Sequence, residues 1–300
     1  MDERAALRLL SDELAAVGDD AAVVDGLVVT TDMLHERTDF PAGTTRYTAG
    51  WRAIGASLSD VAAMGAEATA AVAAYAAPRF DRDELLEFIR GAADVCERVG
   101  TEYVGGDLDG HEEFTVTTTA IGRTDDPVRR RGATAGDVVC VTGTLGRSAA
   151  ALEYFERATT SDTADDRLVE RANDLFRFAP RIPAGQVLAS RATAMMDSSD
   201  GLARSLHQLA EASDCGFAIE SDRIPIDDSV REVAATDDEA LELATTFGED
   251  FELVATLPET ALSAVREAAD VPVSVIGSVL EPDASITMDG EPLADQGYTH

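Results

Sequence analysis

Several places in this chain set a carboxylate where a merely solvated surface does not explain it. Asp60 lies inside Ala53-Ile54-Gly55-Ala56-Ser57-Leu58-Ser59-Asp60-Val61-Ala62-Ala63-Met64-Gly65. Its helical neighbours are Ala56, Ser57, Ala63 and Met64, with no basic residue nearby. A carboxylate on such a face is poorly solvated unless a cation or a donor compensates. Asp32 ends the apolar run Leu27-Val28-Val29-Thr30-Thr31, so two hydroxyls and an acid fall together at a strand end. Asp19 and Asp20 follow Gly18, where the backbone can turn sharply. Asp107 follows Val104-Gly105-Gly106, where glycines permit close approach. Asp197-Ser198-Ser199-Asp200-Gly201 follows Met195-Met196, and Gly248-Glu249-Asp250 precedes Phe251-Glu252-Leu253-Val254.

Oxygen-only ligand sets favour Mg²⁺ or Ca²⁺ over zinc. Mg²⁺ is held by a few carboxylates together with substrate phosphates, so several separated aspartates suggest a nucleotide with more than one Mg²⁺. Arg130, in Arg129-Arg130-Arg131, is a natural phosphate partner in such a chain. Thr142 to Ser148 reads as a strand, a glycine turn and a helix start, an arrangement that can offer amides to an anion. Each feature alone also has a plainer reading: a turn acid at Asp20, a helix cap at Ser199 or Asp200, linker charge at the arginines.

The elements that must carry these residues alternate along the chain. Asp2 to Val17 reads as an amphipathic helix. Asp25-Gly26 between two short apolar runs is a hairpin signal. A loop with Pro41 and Gly43 leads into a long helix over 44–64. Strands are predicted over 68–76, 103–104 and 114–122, with a charged helix over 81–99 between the first two. The polar stretch 123–136 marks a boundary between a domain over 1–124 and another over 125–300. Beyond it, strands over 138–142, 192–197, 217–220, 251–256 and 271–279 alternate with helices, the last of these over 258–268. The segment from Thr159 to Asp166 reads as a solvated loop, and Pro180 and Pro183 as breaks. The pattern argues an α/β (α+β) fold in both halves.

The composition narrows the function further. The 300 residues carry a net charge of −33, and all 24 basic residues are Arg. A lysine general base, a Schiff-base mechanism and a lysine-bearing P-loop are therefore excluded. So acidic a chain is a poor nucleic-acid binder, which needs basic patches. Its self-repulsion fades at ~1 M salt, where the Debye length is ~3 Å, so the composition fits a salt-rich cytoplasm. Cys96, Cys140 and Cys215 are far apart in apolar stretches and read as reduced, buried thiols. No apolar run reaches the length of about 18 residues that a membrane span needs.

Taken in order, the motifs resemble the thiamine-monophosphate kinase family, within the aminoimidazole-ribonucleotide-synthetase-like group of ATP-dependent enzymes. The matching segments are Val17-Gly18-Asp19-Asp20-Ala21, Thr30-Thr31-Asp32, Ser57 to Gly65, Gly105-Gly106-Asp107, Val141-Thr142-Gly143 with Gly146, Asp197 to Leu202, and Gly248 to Leu253. They run in family order over nearly the whole chain. The resemblance implies transfer of the γ-phosphate of ATP to thiamine monophosphate, with several Mg²⁺ ions. It implies metal ligands at Asp20, Thr30, Thr31, Asp32, Asp60, Asp107, Asp197 and Asp200. It implies ATP contacts at Gly106, Asp107, Arg130 and Ser199, and thiamine-side contacts at Glu249 and Tyr298. It also implies a homodimer paired through the N-terminal domain. The family often has a substrate-contacting His a few residues after the Thr-Asp motif. Here Asp39 or a near neighbour takes that place, and His35 lies four residues earlier. Two relatives of the group fit less well. A selenophosphate synthetase is expected to carry a reactive N-terminal Cys or selenocysteine, and a hydrogenase-maturation dehydratase a C-terminal Cys, and neither is present. A non-catalytic protein that binds divalent ions would explain the acids but not their clustering at element ends.

Overall fold

The computed structural model describes residues 17–160 and 165–297, with residues 10, 13 and 14. The helix expected over 2–17 thus lies almost wholly outside the described residues, as does Tyr298.

Two sheets organise the chain. The first contains β1 (Ala22–Val24), β2 (Leu27–His35), β3 (Glu67–Ala77), β4 (Tyr103–Gly110) and β5 (Thr115–Arg123), in the order β1-β2-β5-β3-β4. Only β3 and β4 pair in parallel; the rest are antiparallel. Asp25 and Gly26 both have positive φ (51° and 77°) and close the β1–β2 hairpin, as that dipeptide favours. The second sheet holds β6 (Val138–Thr142), β7 (Ala194–Asp197), β8 (Gly216–Ile219), β9 (Leu253–Leu257), β10 (Val273–Leu280), β11 (Thr287–Met288) and β12 (Glu291–Pro292). Its order is β12-β11-β8-β10-β6-β9-β7. Mostly antiparallel sheets layered with helices make the fold α+β within the expected class.

The helices are α1 (Glu36–Asp39), α2 (Arg46–Ala63), α3 (Arg82–Arg98), α4 (Arg147–Thr160), α5 (Asp166–Phe176), α6 (Ile182–Ala189), α7 (Leu202–Ser213), α8 (Asp228–Val233), α9 (Asp237–Thr246) and α10 (Leu262–Ala268). Short α1 replaces part of the loop expected before α2. Helix α6 was not expected, because Pro180 and Pro183 read as breaks. Pro183 instead occupies the first turn, where its missing N–H has no partner to lose. The segment expected to be a loop from Thr159 is helical through Thr160.

Helix α2 is the spine. It starts at Thr45, whose side chain caps the Thr48 N–H. It is buried on nearly every side, as a helix between two layers must be. One continuous core joins Val28, Leu58 and Met64 to Met195, Leu253 and Leu257 of the second sheet. Small residues let the elements approach closely on both sides of α2: a Cβ on Gly185 of α6 would fall 2.3 Å from the Ala62 carbonyl oxygen, and α3 is packed as tightly. A Cβ on Gly91 of α3 would fall 1.9 Å from the Tyr47 carbonyl oxygen, and one on Gly50 would fall 2.1 Å from that of Phe88. At its start, α2 is tied to α5 by Asn173, which accepts the Thr45 N–H (2.9 Å) and donates to the Gly43 carbonyl (3.0 Å).

Gly91→Ala tests this packing. Ala is favoured over Gly by about 1 kcal/mol in a helix. The backbone clash should outweigh that gain, for a net loss of about 1–3 kcal/mol in denaturant unfolding. A stabilised variant would refute the close helix contact.

Candidate active site

The site begins with strand parity. Along β2, alternate side chains face opposite sides of the sheet. Thr30 and Asp32 face α2, where the Thr30 hydroxyl donates to Asp60 (2.5 Å) and the Ser57 hydroxyl donates to Asp32 (2.5 Å). From the second layer, Asp197 ends β7 with 1% exposure and accepts from Ser59 of α2 (2.7 Å). Asp20 follows the Gly18 turn and is gripped by Arg130 through Nη2 (2.8 Å) and Nε (3.3 Å). Arg129 and the Arg130 N–H hold Asp19 beside it (2.6 and 3.0 Å).

Asp20, Asp60 and Asp197 converge: one carboxylate oxygen of each lies within 4.8 Å of the others. Burial raises the Asp60 pKa well above the ordinary carboxylate value, and the charges of Asp32, Asp197 and Asp20 add to it. Asp197 is pushed up to about 8, first by burial and then by Asp20, against the Ser59 hydrogen bond and Arg130. Burial raises Asp32 as well, and the charge of Glu249 adds to that. Arg130 is driven the other way: despite burial, Asp20, Asp197 and Asp60 hold it firmly protonated. Three converging carboxylates with hydroxyls around them fit a hard divalent cation, and the donor set is all oxygen, as Mg²⁺ requires.

Other expected ligands lie elsewhere. Thr31 is exposed on the far face of the sheet and donates to the Thr118 carbonyl (2.8 Å). Asp107 shares the row Met33–Thr117–Ala74–Asp107, one step from the row of Asp32 and therefore on the opposite face. The sequence pattern could not reveal this, because the face depends on pairing partners distant in the chain. Gly106 makes room for β3, since a Cβ there would fall 1.6 Å from the Ala73 carbonyl oxygen. Asp200 lies before α7 and is not one of the converging three. Ser199 offers its carbonyl to the Glu249 N–H (2.6 Å), joining the 197–201 and 248–252 turns.

The anion site expected at Thr142–Ser148 is already filled from within. The Gly146 and Ser148 N–H groups donate to Asp250, which thereby caps the N-terminus of α4. Burial nevertheless raises Asp250 to about 7. Next to it, Glu252 is buried against Arg181 and accepts from Thr142 (2.6 Å).

A second region adjoins the acids. A cavity of about 230 Å³ is lined by Asp39, Phe40, Phe176, Phe247 and Glu249 among others, so two expected thiamine-side residues share one pocket. Asp39 accepts the His35 N–H and the Thr38 hydroxyl (both 2.7 Å), which fixes its place in α1. A larger groove of about 700 Å³ reaches Phe247 from the side of Arg204 and Gly297. Sequence reasoning missed Ser57, Ser59 and Arg52. The last shows the signal that exposed Asp60: a lone charge, in Trp51-Arg52-Ala53-Ile54, among apolar and small residues.

Fold and site together define a recognisable class. Residues 18–124 match the family model described as "AIR synthase related protein, N-terminal domain", and residues 134–289 match its C-terminal counterpart. A thiamine-monophosphate kinase of Halobacterium salinarum is 59% identical over 300 residues, covering 100% of both chains. One from Methanospirillum hungatei is 40% identical, covering 100% of this chain and 99% of its own. A solved structure described as "AaThiL complexed with AMPPCP and TMP" superposes with a TM-score of 0.87 at 28% identity, covering 99% of this chain and 96% of that one. The chain belongs to the thiamine-monophosphate kinase family.

The raised carboxylates predict a linked response to pH and metal. Folded Asp197 keeps its proton between the ordinary 3.8 and about 8, where the unfolded chain does not. Its stabilising contribution is therefore full below roughly pH 4 and is lost as pH rises through about 8. Asp250, raised to about 7, acts with the same sign. Metal-free protein should thus melt at a lower temperature at pH 8.5 than at pH 6, and Mg²⁺ should raise the melting point more at pH 8.5. An equal Mg²⁺ effect at both pH values, measured calorimetrically, would contradict the shared site.

Proposed function

We infer that this chain transfers the γ-phosphate of ATP to thiamine monophosphate, giving thiamine diphosphate and ADP. One observation carries the reading. The converging carboxylates and the cavity of Asp39 and Glu249 are neighbours: the Glu249 N–H donates to the Ser199 carbonyl (2.6 Å), two residues from Asp197, and the Ser198 N–H donates to the Glu252 carbonyl (2.8 Å).

The chemistry needs little from the protein beyond placement. The nucleophile is a phosphate oxygen, already anionic near neutral pH, so no strong base is required. Asp20, Asp60 and Asp197 are the residues to hold Mg²⁺, with Asp32 beside them. Bound Mg²⁺ would neutralise phosphate oxygens that the lysine-free chain cannot meet with ammonium groups. Arg130, now on Asp20, lies where it can share its guanidinium with a phosphate. On the other side, Asp39 supplies negative charge for the cationic thiazolium, Glu249 a carboxylate held by Arg52, and Phe40 and Phe247 rings.

Two further parts of the reading concern assembly and place. The sheet face that carries Thr31 and Asp107 leaves Met33 and Val24 exposed at 60% and 56%, and edge strand β4 leaves Val104 and Leu108 similarly open. A second copy paired through this face would cover Met33 and Val24 and bring Asp107 into the interface, and its reach to the β4 edge would shield Val104 and Leu108, so we assign the chain a homodimer. Its free cysteines, and the absence among the described residues of a helix able to cross a membrane, suit a cytoplasmic enzyme.

Incubation with Mg²⁺, ATP and thiamine monophosphate at high salt should yield thiamine diphosphate by chromatography. Asp60→Asn should keep its circular dichroism spectrum and lose roughly 100-fold or more in turnover. No product above the enzyme-free control would sink the assignment; wild-type turnover in the variant would sink the role of the acids.

A further inference from the structure

We propose that Arg52 is a positioning residue for Glu249, so that the helix carrying Asp60 also sets the wall of the thiamine pocket. The inference rests on the reading that the 230 Å³ cavity takes the thiamine moiety.

Arg52 leaves α2 with only 1% exposure and ends in the other layer. Its Nη1 donates to the Phe176 carbonyl (2.7 Å). Its Nη2 donates both to the Glu249 carbonyl (3.1 Å) and to the Glu249 carboxylate. The guanidinium carbon stands 3.6 Å from the centre of the Phe176 ring. Ser148 donates to the same Glu249 carbonyl (2.6 Å). Phe176 and Glu249 both line the cavity, so one buried cation touches two of its walls.

The backbone of Glu249 gives the contact its purpose. Its φ of 62° is uncommon for a residue with a side chain, and Gly248 and Phe251 on either side of the turn are also positive, at 82° and 53°. Such a turn persists only where the surroundings hold it. Arg52 holds both the carbonyl and the carboxylate of this one residue. A buried ion pair is weak evidence for stability, since an apolar residue of like volume often does as well. A planar fork that aims one carboxylate is what arginine supplies and lysine does not. The consequence is a division of labour along α2: Asp60 serves the phosphate end, and Arg52 serves the thiamine end.

The test is steady-state kinetics on the full chain with each substrate varied in turn. Arg52→Lys should raise the KM for thiamine monophosphate about tenfold while the KM for ATP moves less than about twofold. Arg52→Met, which fills similar volume without the charge, is the second variant and should show the same split. Combining Arg52→Lys with Glu249→Gln should add little to Glu249→Gln alone, because the two act as one unit. Glu249→Gln separates the two levels of the inference. If it leaves the KM for thiamine monophosphate unchanged, the cavity reading falls and this proposal with it. If it raises that KM but the Arg52 variants lower kcat alone, or change both KM values equally, Arg52 is only structural and the proposal is overturned while the cavity reading stands.

Discussion

Mutual repulsion among Asp20, Asp60 and Asp197 is the constraint around which this molecule is built. Like charges this close cannot all ionise in a protein interior without compensation. The chain supplies some: Thr30 and Ser59 donate hydrogen bonds, and Arg130 grips Asp20. One guanidinium against three acids, with Asp32 beside them, leaves a deficit of positive charge, and a divalent cation is the simplest species to fill it. Asp250 makes the contrast clear. It too is buried, but the N-terminus of α4 meets it with two amides, so its place is structural.

Bringing the three acids together requires elements from both layers to meet on α2. That helix carries Ala, Gly and Ser where neighbouring elements come closest, as at Ala62, whose carbonyl faces Gly185. The same closeness that places Asp60 opposite Asp197 lets Arg52 reach across to the 248–251 turn. Metal cluster and substrate pocket are thus positioned by one rigid rod. A displacement of α2 would disturb both at once.

Much of this was legible in the sequence wherever the signal was local. Asp25-Gly26 specifies its hairpin, β6 has the bounds its apolar run suggests, and an acid among small apolar residues marked Asp60. What escaped depended on partners far along the chain. The helix start after Thr142 resembles an anion site, yet Asp250, about a hundred residues later, fills it. Asp107 matches the family motif, but strand register turns it to the other face of the sheet, whereas simple alternation between Thr30 and Asp32 is enough to place Thr31 there. Helix α6 is hard to see in the sequence because proline signals a break as readily as a helix start, and Pro183 stands at the start. Burial sets a few acids apart from the solvated many, and convergence without enough internal donors then sets Asp20, Asp60 and Asp197 apart from buried Asp250 and Glu252.

Anomalous diffraction from crystals of the full chain grown with Mn²⁺ in place of Mg²⁺ tests whether Asp20, Asp60 and Asp197 form a divalent-cation site. An anomalous peak bounded by those three carboxylates is expected, and its loss in Asp60→Asn crystals of the same form. Crystals with Mn²⁺ bound elsewhere and no peak among the three would contradict that site.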